Sequence, residues 1–88
     1  MKIWVKTVLG EKITRSILHE QPVIDEKNFD ETLYQVCQNL DLPSPLVTKT
    51  NLRHFFAFNH VKFRSHDFVE SVDFDYMELE FVIEKKKK

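Results

Sequence analysis

One glycine, Gly10, is all that 88 residues contain. Most turns must therefore be built from Asn, Asp, Ser and Pro, and Gly10 is expected where the backbone needs a positive φ. The same scarcity leaves no Gly-rich phosphate loop, and neither G-x-S-x-G nor H-E-x-x-H occurs. No catalytic residues and no cofactor are read from the chain, which is taken as a non-enzyme. Cys37 is the single cysteine, so an intrachain disulfide is excluded, and with it a disulfide-stapled secreted scaffold. No apolar run approaches the ~20 residues of a membrane span. The N-terminus lacks the apolar stretch of about 7–15 residues that marks a signal peptide. Together these absences point to a cytoplasmic protein. A formal charge of −1 gives no global attraction to nucleic acid or to an anionic membrane.

What remains has the size of one domain, expected over residues 1–84, with a charged, disordered Lys tail over 85–88. A chain this short has a thin core, so its eight Phe, two Tyr and one Trp carry much of the burial. Residues 2–9 alternate: Ile3, Val5, Thr7 and Leu9 share one face, and Lys2, Trp4, Lys6 and Val8 the other. Gly10-Glu11-Lys12 reads as a turn. Ile13 and Ile17 continue the inward face, with Thr14, Ser16 and Leu18 opposite; Arg15 interrupts the inward row.

Asn28 is a good helix N-cap, and Glu31 falls where a capping box needs it. Phe29, Leu33, Val36, Cys37 and Leu40 follow at helical spacing, and the prolines at 43 and 45 stop the helix. Leu46-Val47-Thr48-Lys49 reads as a short third strand. Residues 50–58 fit a helix begun by Thr50 or Asn51, with a strand as the competing reading. Val61 and Phe63 alternate with Lys62 and Arg64 as a short strand, and Ser65–Phe68 reads as a turn or a single helical turn. In the last strand Met77, Leu79, Phe81 and Ile83 oppose Glu78, Glu80 and Glu84, with Val82 among the acids.

Met1, Ile3, Val5-Lys6-Thr7, Gly10 and Ile13-Thr14 fall as they do in the opening hairpin of ubiquitin. Over about a fifth of the chain, and in the order of the later elements, the sequence resembles the ubiquitin-like proteins of the β-grasp fold. That resemblance implies an α+β domain: a mixed sheet with an N-terminal hairpin and one main helix packed across it. It also implies that the first and last strands are neighbours and parallel. Lys2 and Lys6 would then share an outer face with Glu78, Glu80 and Glu84, each opposite-charge pair contributing roughly 0.2–1 kcal/mol. Conjugated members of the family end in Gly-Gly. This chain carries no such pair, so a conjugated modifier is not expected.

Trp4, Lys6, Val8 and Val82 form the first candidate site, an apolar patch in a charged rim suited to a protein partner of unknown identity. The competing reading has Trp4 covered by residues 50–75. The second candidate is residues 42–66, which contain no acid and interleave four Phe with Lys and Arg. Arg53, Lys62 and Arg64 would there track the backbone of a single-stranded nucleic acid or another polyanion. The alternative is that those rings are simply core. His54, His60 and His66 recur every sixth residue, but the spacing matches no short-range zinc pattern, and no metal site is assigned. Cys37 is read as a small core residue.

Overall fold

A computed structural model describes residues 1–83; Glu84 and the expected Lys85–Lys88 tail lie outside the described residues. Strand β1 (Lys2–Leu9) and strand β2 (Lys12–Glu20) form the N-terminal hairpin. Leu9 pairs with Lys12, leaving Gly10-Glu11 as a two-residue loop. Both loop residues have positive φ, 56° and 69°, the type I′ geometry whose twist suits a tight hairpin. Gly10 thus sits where a left-handed residue was expected.

The register of β2 departs from simple alternation. Pairing jumps from Thr7–Arg15 to Val8–Ile13, a bulge in which Thr14 is the extra residue. The Thr14 and Thr7 hydroxyls meet at 2.7 Å, which satisfies the buried Thr7. The extra residue reverses the facing of everything before it in β2. Ile13 therefore pairs with Val8 and is exposed, instead of joining Ile17 on the inward row.

Helix α1 (Phe29–Asn39) buries Phe29, Thr32, Leu33, Val36 and Cys37, the spacing of one helical face. Its start differs from the expected capping box. Asn28 is the N-cap residue but makes no side-chain cap bond. Its Oδ1 instead accepts from the Asp25 amide and its Nδ2 donates to the Val23 carbonyl, which staples the preceding turn. Its end is a Schellman closure: the amides of Asp41 and Leu42 donate to the carbonyls of Gln38 and Cys37. Asp41 holds the left-handed position at φ 57°, before either proline is reached.

Residues 46–49 are not a strand. Thr48 caps helix α2 (Lys49–Phe58): its Oγ1 accepts from the Asn51 amide, and Asn51 Oδ1 accepts from the Thr48 amide. This reciprocal pair decides for helix over residues 50–58. Asn59 then turns the chain at φ 61° into β3 (His60–Arg64). A single 3-10 turn (Ser65–Asp67) and a loop lead to β4 (Tyr76–Val82).

The sheet order is β2-β1-β4-β3. The first and last strands are neighbours, as expected, but they run antiparallel, and the expected mixed sheet is antiparallel throughout. Asp75 shows the cause. Its amide donates to the Val8 carbonyl and its Oδ2 accepts from the Gly10 amide. The chain is thereby pinned at the hairpin-turn end, so β4 must run back along β1 towards residue 2.

Both helices contribute to one core on one face of the sheet, an α+β fold as expected, with α2 as the helix expected over 50–58. Ile3, Val5, Phe29, Leu33, Val36, Met77 and Leu79 are buried as expected, with Leu40 and Phe81 half-buried against them. Leu9, Ile13 and Ile83 were expected inside and are exposed. Phe55, Val61, Phe63, Phe68, Phe74 and Ile24 complete the core. Phe55 is its joint: its ring lies 4.4 Å from Phe81 on the sheet and 5.1 Å from Phe29 on α1. Phe55→Ala should therefore cost about 3–5 kcal/mol, read as a lowered urea midpoint with little change in slope.

Candidate protein-interaction face

With both helices on the inner face, the outer face of the sheet has no helix against it among the described residues. Alternation in β1 projects Lys2, Trp4, Lys6 and Val8 outward, and the pairing aligns them with neighbours in rows. One row reads Leu18, Trp4, Glu80, His60; the next reads Ser16, Lys6, Glu78, Lys62; a third reads Ile13, Val8, Tyr76, Arg64. At the other end Glu20, Lys2 and Val82 align.

Glu78 is the electrostatic centre. Its Oε1 lies 3.0 Å from Lys6 Nζ, and its Oε2 is hydrogen-bonded to His60 Nε2. Only 13% of its side chain is exposed. Burial alone would push its carboxyl up, but the hydrogen bonds from His60 and Lys6 and their charges outweigh it and hold the group below the usual range. Lys6 Nζ also sits 4.2 Å from the centre of the Trp4 ring, and Lys62 Nζ lies 4.6 Å from that of Tyr76. Such cation–π contacts are worth about 0.5–1 kcal/mol near a surface. They give two aromatic rings a fixed cationic neighbour.

All four residues of the first candidate site lie on this face. Trp4 is 37% exposed and Val82 38%, so residues 50–75 do not cover Trp4. Val8 is different. It is only 6% exposed between its partners Ile13 and Tyr76, so it supports the face without offering contact area. Leu18, 57% exposed, and Ile13 supply apolar surface in its place. Leu18 was legible as outward-facing; its position directly across from Trp4 was not, because hairpin register sets it. An apolar cleft of about 320 Å³ adjoins Val82, lined among others by Met1, Ile24, Phe56 and Phe81.

The second candidate site does not come together as a trio. Lys62 and Arg64 project from the outer face of β3, whereas Arg53 is exposed on α2, in the helical layer. Of the four Phe in that stretch, Phe55 and Phe63 are fully buried, Phe56 is half-buried and Phe58 is exposed. The three histidines also separate. The His54 and His60 rings lie 6.3 Å apart, while His66 follows the far end of β3 and faces Asp67. No group of three or more His, Cys, Asp or Glu that would hold a metal occurs among the described residues. Cys37 is buried, which raises its thiol pKa to about 11 despite a hydrogen bond to Ser44.

Among the described residues, no helix is long and apolar enough to cross a membrane. No family model, no curated protein and no solved structure matches the chain.

The Glu78 contacts have a pH consequence. A carboxyl held below its unfolded value stabilises the fold above that value and loses the contribution as pH falls through the folded one. Thermal stability should therefore decline on acidification below about pH 4.5, the ordinary value for this group. In Glu78→Gln the decline should be shallower. The exposed Arg15–Asp73 pair, which lowers the Asp73 pKa, should leave a residual slope that salt weakens. Melting curves from pH 3 to 7 at low and high salt would test this; an unchanged acid limb in Glu78→Gln would refute the role of Glu78.

Proposed function

We propose that the chain is a non-catalytic, cytoplasmic protein-interaction module that binds a protein partner through the outer face of its sheet. The observation that carries this reading is the half-exposed Trp4 on a central strand, flanked by exposed Leu18 and opposite Glu80, on the face away from both helices. Tryptophan concentrates binding energy when a partner desolvates it, and the surrounding charges supply a polar rim. Lys6 contributes by sitting over the indole while Glu78 holds its ammonium. Val82 extends the apolar area towards the adjoining cleft. The likeness of the first hairpin to ubiquitin-like proteins agrees with this use of a sheet face, as an analogy of local sequence.

A second reading, single-stranded nucleic acid or polyanion binding through residues 42–66, draws support from Lys62 and Arg64 beside Tyr76. It has fewer rings free to stack, since Phe55 and Phe63 are fully buried.

Trp4→Ala should weaken a partner complex by about 2 kcal/mol or more, roughly 30-fold, while shifting stability by less than about 1 kcal/mol. Affinity capture with wild type and Trp4→Ala, each with and without nuclease, separates the readings. A protein retained by wild type and lost by a folded Trp4→Ala supports the interaction face. Nucleic acid held equally by both, and released steeply by salt, would overturn it in favour of Lys62 and Arg64. Unfolding of Trp4→Ala would show that Trp4 is structural.

A further inference from the structure

β2 lies at the edge of the sheet, and the hydrogen-bond pattern says which of its backbone groups face outward. Met1 and Gln21 exchange both bonds: the Met1 amine donates to the Gln21 carbonyl at 2.8 Å, and the Gln21 amide donates back at 3.0 Å. In an antiparallel pair, bonded and non-bonded pairs alternate. Counting from Met1–Gln21, the pairs Ile3–His19 and Val5–Ile17 are bonded, and Lys2–Glu20, Trp4–Leu18 and Lys6–Ser16 are not. The amides and carbonyls of Ser16, Leu18 and Glu20 therefore point away from β1, along the open edge. Among the described residues no strand lies beyond them.

We propose that this edge pairs with the same edge of a second copy of the chain, antiparallel about a two-fold axis at Leu18. This concerns the edge, and it stands whether or not the outer face takes the partner proposed above. Centred at Leu18, the two strands set Leu18 against Leu18 and Ser16 against Glu20 twice. Three pairs at two bonds each give about six N–H···O bonds. Centring one residue earlier, at Ile17, keeps only the two Ser16–Leu18 pairs, about four bonds, because the bulge at Thr14 removes the next pair. Arg15, partly exposed and held by Asp73 at 3.0 Å, also blocks extension past Ser16. Bulges and charges of this kind are how edges are closed. In β2 they close only the half nearest the turn.

Side chains at the joint are complementary. Paired antiparallel residues share a face, so the outer face gains a row reading Trp4, Leu18, Leu18, Trp4 across the two copies. Leu18, exposed in one copy, is covered in two. The flanking row reads Lys2, Glu20, Ser16, Lys6, which sets Glu20 beside Lys2 of its own copy and against Ser16 of the other, with the next charge along the row, Lys6, of opposite sign. No like charges are opposed, since the remaining pair is Ile17 with His19. The contact is isologous and closes at two copies, giving one continuous eight-stranded sheet.

Sedimentation and amide exchange across a concentration series test this directly. The expected result is a mass rising towards two copies. The Ser16, Leu18 and Glu20 amides should slow with concentration, while those of Ile17 and His19 stay protected throughout. Leu18→Lys should lose the dimer with the hairpin intact. Leu18→Pro should do the same, because the amide it removes is not used within one copy; if it unfolds, Leu18→Lys decides. A single-copy mass at every concentration would overturn the proposal. So would a dimer that survives Leu18→Lys, or one in which the three edge amides exchange at a constant rate.

Discussion

The cluster of Phe29, Phe55 and Phe81 is the contact on which the rest of the architecture depends. It ties a helix begun at Phe29, a helix centred on Phe55 and the last strand to a single point, with rings 4.4 to 5.1 Å apart. A domain this small has one thin core, and these rings commit it to one side of the sheet. Once both helices are spent there, no described element remains to cover the other side. The exposure of Trp4 is thus a consequence of where the phenylalanines went.

A bare sheet face must still hold its own shape, and here it does so by charge. Glu78 stands on a central strand and draws Lys6 from one neighbour and His60 from the other. The Lys6 ammonium and the His60 imidazole bracket a carboxylate that is mostly removed from water, where the pairing is screened less than at an open surface. Lys6 and Lys62 in turn lie over Trp4 and Tyr76. The aromatic rings are therefore set in a framework of ion pairing and strand pairing that holds them in place.

Edge and face are linked through the bulge at Thr14. It turns Ile13 outward, buries Thr7 with a hydroxyl partner and leaves Ser16–Glu20 as the regular half of β2. One inserted residue thereby sets the apolar content of the outer face and the length of edge available for pairing.

The faces of individual strands were legible in the chain itself. Trp4, Lys6 and Val82 are outward and Ile3, Val5, Met77 and Leu79 are inward, because a period of two is local and survives any choice of partner strand. The stripe on α1 was legible for the same reason. Direction was not. Alternation is unchanged when a strand is reversed, so Lys6 opposite Glu78 was compatible with parallel and antiparallel pairing alike. The β1–β4 register, with Asp75 anchored at the hairpin turn, is antiparallel. The bulge was equally hidden, since Arg15 interrupting an apolar row carries no sign of an extra residue. Nor could the chain say that Arg53 parts from Lys62 and Arg64, or that Leu18 stands beside Trp4. Those juxtapositions depend on register and layer, which arise from contacts between residues far apart in sequence. Local periodicity determined which side chains leave each strand together; the tertiary structure decided which of them meet, because the pinning at Asp75 and the bulge at Thr14 act between strands.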